Sequence, residues 1–192
     1  VNTPSNMSNT FIPPDYRNTP DATWSTADLC DLALNDPSLE LRIFPPAYRA
    51  FGGRSWYFGQ VVAVPAPDGG GGVSLATLLA EPGHGKVLLV DGGGSSAAAI
   101  LGDRMAGIAV QNGWSGVVIH GHVRDVRELA RMPVGIHALN AVPNRAASMP
   151  TVAAGPQVTL HGITVRSGQW LYADEDGIVV LARRHTEGKP AA

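Results

Sequence analysis

Lys86-Val87-Leu88-Leu89-Val90-Asp91 is a continuous apolar run that ends in a glycine-rich turn, Gly92-Gly93-Gly94-Ser95-Ser96, and Gly116 to His120 is a second such run. A strand that is apolar at successive positions is buried on both faces, as in a parallel sheet. Between the two runs Leu101, Met105, Ile108 and Ala109 recur at helical spacing, and Asn112-Gly113 stands where a helix C-terminus needs it. Strand, glycine loop, helix, strand predicts a right-handed crossover joining parallel strands. The start of that helix and the ends of both strands then share one edge of the sheet, the edge at which open α/β sheets take ligands.

The flanks read differently. Residues 1–24 are rich in Asn, Thr, Pro and Ser with little periodicity and are expected to form an extended arm. Ser25-Thr26 precede an amphipathic helix over Ala27 to Leu34, which Asn35-Asp36-Pro37 stops; a strand is expected at Glu40 to Ile43. GQVVAVPAP is a strand closed by Pro65 and Pro67, and after the glycine loop of Asp68 to Gly72 a short helix covers Leu75 to Leu79. Beyond a helix at Val126 to Met132, QVTLHGITV, GQWLYAD and GIVVLAR alternate with tight turns at His161-Gly162 and Asp174 to Gly177, a pattern of antiparallel strands. The expected organisation is an arm over 1–24, one α/β domain over 25–183 and a flexible tail over 184–192.

With 44% hydrophobic residues in 192, a sizeable core is available, and the net charge of −2 supplies no basic field for nucleic acid or an anionic membrane surface. No apolar run approaches the ~20 residues of a membrane span, and the first 24 residues lack the pattern of a secretory signal. A soluble cytoplasmic protein with small-molecule or protein partners is expected. The single Cys30 lies on an apolar helix face rather than in a metal or redox motif.

The glycine loop lacks Gly-Lys-Ser/Thr, and it lacks the G-x-G-x-x-G spacing with a helix starting at once, so neither a triphosphate nor a dinucleotide is indicated. Asp103 is placed as the N-cap of the central helix, leaving the amides of Arg104 and Met105 open at a partially positive helix end that can hold a carboxylate. Asp125 has two readings: with Glu128 three residues on, it forms an acidic capping box for the following helix, or it joins Asp103 in an acidic pair for a hard divalent cation. Arg124 beside it can bind a carboxylate or an enolate oxygen. His120 and His122 project to one face of an extended strand, yet they are only two ligands, and packing or hydrogen-bonding roles are expected of them.

The segments FGGRSWYFGQVVAV, GKVLLVDGGGSS, LGDRMAGIAVQNGWSGVVIHGHVRD and GITVRSGQWLYADEDGIVV, in that order over residues 25–182, resemble the regulator of ribonuclease E activity A family, and within it the 4-hydroxy-4-methyl-2-oxoglutarate aldolases. The resemblance implies a swivelling β/β/α domain, a central parallel strand-helix-strand unit with flanking antiparallel strands, and a ring-shaped homotrimer or hexamer. The aldolase branch carries an Asp followed after twenty residues by Arg-Asp, and here Asp103 is followed by 104–123 and then Arg124-Asp125. By the resemblance, Gly102, Asp103, Arg104 and Met105 border a pyruvyl group, Arg124 binds it, and Asp125 holds Mg²⁺ or Mn²⁺. It thus implies an enzyme releasing pyruvate from a small 2-oxo acid, with oxaloacetate decarboxylation as a side activity. Arg124 and Asp103 would be its catalytic residues. The rival implication is a non-catalytic regulator that binds a ribonuclease partner.

Overall fold

The computed structural model describes residues 24–67 and 71–185, so residues 1–23 of the arm expected over 1–24 and residues 186–192 of the tail expected over 184–192 lie outside the described residues, as do 68–70 of the first glycine loop. The first helix, α1 (Thr26–Asn35), opens with a capping box: the Ser25 hydroxyl accepts from the Asp28 amide at 3.0 Å and the Asp28 carboxylate accepts from the Ser25 amide. Its first turn is also tied to the far end of the chain, because Asp174 accepts from the Thr26 amide at 2.7 Å and from the Thr26 hydroxyl at 2.6 Å. Trp24 stacks on Trp56 with centroids 4.4 Å apart.

Three strands follow: β1 (Arg42–Ile43), β2 (Arg49–Ala50) and β3 (Tyr57–Val64). The strand expected from Glu40 shrinks to two residues, because Leu39 ends a 3-10 turn and Glu40 takes a left-handed conformation at φ 46°. After α2 (Leu75–Leu79) come β4 (Val87–Asp91), β5 (Ala99–Leu101), α3 (Asp103–Gln111) and β6 (Gly116–Val123). The chain continues through a single turn, α4 (Val126–Leu129), then β7 (Gly135–Ala141), a hairpin of β8 (Gln157–Leu160) and β9 (Ile163–Arg166), and finally β10 (Trp170–Ala173) and β11 (Ile178–Leu181). The helix expected to reach Met132 stops at Leu129.

The main sheet runs β1-β11-β10-β3-β4-β6-β7-β2, with β5 alongside the end of β6. Its centre, β3-β4-β6-β7, is parallel, and both flanks are antiparallel. The expected pairing of the two apolar runs is present as Val87↔Gly116 through Asp91↔His120. One face of the parallel strands presents Leu88, Val90, Val117, Ile119 and Val123 to α2, α3 and α4, and the other presents Leu89 and Val118 to the β8-β9 hairpin. Full burial of β4 at Val87 to Val90 is why that strand has no polar alternation.

Glycines at two strand starts make room for one ring. A Cβ on Gly116 or Gly135 would lie 2.3 or 2.1 Å from atoms of Tyr57, which is buried and whose hydroxyl is hydrogen-bonded to Nδ1 of buried His137 at 2.8 Å. Burial holds the His137 imidazole down at about 4 and pushes the Tyr57 phenol up, so both are neutral at pH 7. Among the described residues no helix is long and apolar enough to cross a membrane.

Candidate functional site

The parallel strands deliver β4, β6 and the start of α3 to one sheet edge, and the residues of interest cluster there. Leu101 at the end of β5 accepts from the Arg124 amide at 3.0 Å, which fixes the chain just after β6 against the chain just before α3. Gly102 follows in extended conformation, φ −136° and ψ −170°, and it is the N-cap of α3. Asp103, expected at that position, is instead the first helical residue. Glycine has no side chain to accept from the helix amides, so the cap must come from elsewhere in the molecule.

It comes from Asp125. The Asp125 carboxylate oxygen Oδ2 lies 3.4 Å from the Asp103 amide and 3.2 Å from Nε of Arg124. The gap it occupies exists because residue 102 is glycine: a Cβ there would sit 2.5 Å from Oδ2 of Asp125 and 3.2 Å from Cγ and Nε of Arg124. Asp125 itself is in the left-handed region, φ 59°, and makes no side-chain hydrogen bond to the start of α4, so it does not form a capping box with Glu128. A non-glycine residue at positive φ is uncommon, though Asp is among those that tolerate it, and here the conformation turns the carboxylate away from its own helix toward α3. Three groups that favour negative charge meet at this point: a guanidinium, a helix N-terminus and an open backbone amide.

The remaining groups are arranged around that carboxylate. Oδ1 of Asp125 accepts no hydrogen bond among the described residues, and the Arg124 and Asp125 side chains are 35% and 32% exposed, so both reach solvent. The Asp103 carboxylate accepts from the next amide, Arg104, at 2.6 Å. Of the two amides expected to stay open, Arg104 is therefore engaged and Met105 alone is free to orient an incoming oxygen. Gly102, Asp103, Arg104, Met105, Arg124 and Asp125 are thus brought together at this edge of the sheet.

A carboxylate oxygen that accepts no hydrogen bond among the described residues, on a partly exposed side chain, suits a hard cation that keeps most of its waters, as Mg²⁺ does. It does not suit a closed nitrogen or sulfur site, and among the described residues no three His, Cys, Asp or Glu side chains converge. His120 and His122 are engaged separately. Nδ1 of His120 pairs with the Tyr48 hydroxyl at 3.2 Å, and its ring meets His161 edge-on at 4.7 Å. Nδ1 of His122 donates to the Ser95 carbonyl at 2.9 Å, which fastens the glycine loop to β6. The loop is a close-packed turn: the Gly92 and Gly94 amides both donate to the His120 carbonyl, and the Gly93 amide donates to Asp91. Burial, and then His161, lower the His120 imidazole below its usual range, while Asp91 opposes them. Tyr48 and His161 carry no motif that announces these contacts, since each stands alone in a loop or turn.

Residues 26–180 match the RraA-like family, described as Aldolase/RraA. This chain belongs to that family. An RraA-like relative from Alkalilimnicola ehrlichii is 47% identical over 155 residues, 81% of this chain and 92% of its own, and one from Halorhodospira halophila is 44% identical over 161 residues, 84% and 97%. Each is named "Putative 4-hydroxy-4-methyl-2-oxoglutarate aldolase". Among solved structures the RNA-processing inhibitor RraA from Thermus thermophilis is similar at 36% identity and a TM-score of 0.76, covering 86% of this chain and 97% of that one. The mixed α/β architecture, parallel at its centre and antiparallel at its flanks, is that of the RraA-like structures.

Proposed function

We propose that this RraA-like protein is a class II aldolase that cleaves 4-hydroxy-4-methyl-2-oxoglutarate, or a related 4-hydroxy-2-oxo acid, to pyruvate and a second carbonyl compound. The observation that carries the reading is the displaced carboxylate: Asp125 leaves its own helix uncapped and is held by Arg124 and the start of α3 while its side chain stays partly exposed. The names of the relatives point the same way.

Asp125 would hold the divalent cation, Mg²⁺ or Mn²⁺, through Oδ1. Bound there, the cation supplies Lewis acidity toward the oxygens of the 2-oxo acid. Arg124 binds the 2-oxo acid and neutralises the enolate oxygen as charge grows on it, and the Met105 amide orients the carboxylate at the helix end. When the C3–C4 bond breaks, its electron pair becomes the C2–C3 enolate, the 4-hydroxyl gives up its proton, and C4 becomes a carbonyl. Asp103 accepts that proton through water, and protonation of the enolate at C3 yields pyruvate. Oxaloacetate that loses CO₂ passes through the same enolate, so its decarboxylation is a side activity. Lys86 and Lys189 are the only lysines; Lys86 does not belong to this site and Lys189 lies outside the described residues, so the described site holds no lysine for a Schiff-base route.

Leu34 and Ile43, 81% and 60% exposed, leave apolar surface beside α1 that supports assembly into a homotrimer or hexamer. The test of function is pyruvate release from 4-hydroxy-4-methyl-2-oxoglutarate with Mg²⁺, abolished in Asp125→Ala; equal activity in that variant removes the proposed site. The likeness to the Thermus RNA-processing inhibitor supports a second reading, regulation of a ribonuclease partner. Tight binding to an RNA-degrading enzyme without metal-dependent turnover would favour it.

A further inference from the structure

We infer that the site continues into an apolar subsite, and that the preferred substrates carry an apolar substituent at C4 in place of a second carboxylate. This rests on the aldolase reading. A cavity of about 340 Å³ lies at the carboxyl edge of β4, walled by Leu75, Val90, Ala98, Ile100, Ala146 and Met149 among others. That volume is in the range of small-molecule sites. Arg124 and Asp125 do not line it, and its nearness to them is inferred from the sheet. Val90, Leu101 and Val123 belong to one core on the helix-covered face, and β4 and β6 are neighbours, about 5 Å apart. β5 lies along the end of β6, pairing Ala99↔His122 and Leu101↔Val123. Ile100, in the cavity wall, is thus two residues and about 7 Å along an extended chain from Gly102, whose missing side chain makes room for Asp125. A 2-oxo acid end held at Arg124 and Met105 leaves its C4 substituent to run along β5 into this cavity.

The wall decides what that substituent is. Among the described residues no Lys, Arg or His lines the cavity, so a second carboxylate entering it meets no cation there. Its two polar side chains are turned into their own loop: Asp91 accepts from the Gly93 amide at 2.8 Å and the Ser95 hydroxyl accepts from the Ala97 amide at 3.1 Å. Asp91 moreover adds negative charge to the rim. Burying an unpaired carboxylate costs far more than burying a hydrocarbon or aryl group, which gains free energy there.

The experiment compares three substrates on the purified full chain with Mg²⁺: oxaloacetate, 4-hydroxy-4-methyl-2-oxoglutarate and 4-hydroxy-2-oxo-4-phenylbutanoate. The expected result is turnover of oxaloacetate, with kcat/KM for the phenyl-bearing aldol at least tenfold above that for the dicarboxylic one. Ala146→Trp, and independently Ala98→Leu, should lower that preference at least tenfold by filling the cavity. Turnover of oxaloacetate with a preference for the dicarboxylic aldol, or a preference that neither variant changes, overturns the apolar subsite and leaves the aldolase reading standing. No pyruvate from any of the three overturns the aldolase reading and the subsite with it.

Discussion

Replacing Gly102 by alanine perturbs the site through one methyl group. The native backbone at φ −136° and ψ −170° is open to any residue, so the substitution introduces no conformational strain and slightly restricts the unfolded chain, a gain of about 0.4–1 kcal/mol. The new Cβ lands 2.5 Å from Oδ2 of Asp125, and the carboxylate must retreat about half an ångström or more to reach a tolerable contact. The hydrogen bond from the Asp103 amide, already 3.4 Å long, does not survive that movement. A hydrogen bond to a charged group contributes about 1.5–3 kcal/mol, and a displacement of about 1 Å in a catalytic group can cost about 100-fold in rate. The expected loss in kcat/KM is therefore about 10- to 100-fold, or about 1.4–2.8 kcal/mol of transition-state stabilisation, with Tm changed by only a few degrees. Pyruvate release coupled to lactate dehydrogenase reads the first quantity and a thermal melt the second. Gly107→Ala is the control, because a Cβ there meets nothing within 4 Å and alanine favours the helix by about 1 kcal/mol. Wild-type kcat/KM in Gly102→Ala would refute the placement of Asp125, and a collapsed melt would show that Gly102 serves the fold instead.

Asp125→Asn should abolish metal-dependent pyruvate release and, because the carboxylate meets the start of α3 and not α4, cost about 1 kcal/mol in a denaturation assay at most; metal-dependent release at the wild-type rate would contradict the assignment. Tyr57→Phe should destabilise the protein by about 1–3 kcal/mol in urea denaturation, because it strips the partner from Nδ1 of buried His137. His137, with its folded value lowered to about 4 by burial, is neutral in the fold. The unfolded chain takes up that proton below about pH 6.5, so stability is full above that pH and falls as the pH drops toward 4. The drop should be about 3 kcal/mol and should shrink in His137→Gln; identical pH profiles would show that His137 is not the group responsible.

The central unit was legible because its signals are local and redundant: two buried strands, a helical period between them, and Asn112-Gly113 at the helix end. Parallel topology alone then places Asp103, Arg124 and Asp125 at one edge of the sheet. The details that decide their chemistry were not legible. A capping box is read from spacing alone, and Asp125 with Glu128 has that spacing, yet the left-handed turn at 125 sends the carboxylate to a helix 22 residues earlier. The cap of α3 was displaced by one residue for the same reason, since a glycine N-cap capped from a distance leaves no pattern near itself. β7 went unmarked because Gly135, His137 and Asn140 interrupt its apolar run, although its first four residues are fully buried. The contacts of His120 with Tyr48 and His161 join residues 72 and 41 positions apart, and only the fold brings them together.

A crystal structure of the full chain with Mg²⁺ and pyruvate bears most directly on the central claim, that the carboxylate Asp125 withholds from α4 serves as the cation anchor. The expected density places the cation on Oδ1 of Asp125 within an otherwise water-filled shell, with pyruvate between Arg124 and the Met105 amide. A cation bound instead at His120 and His122, or pyruvate bound away from the start of α3, would contradict it.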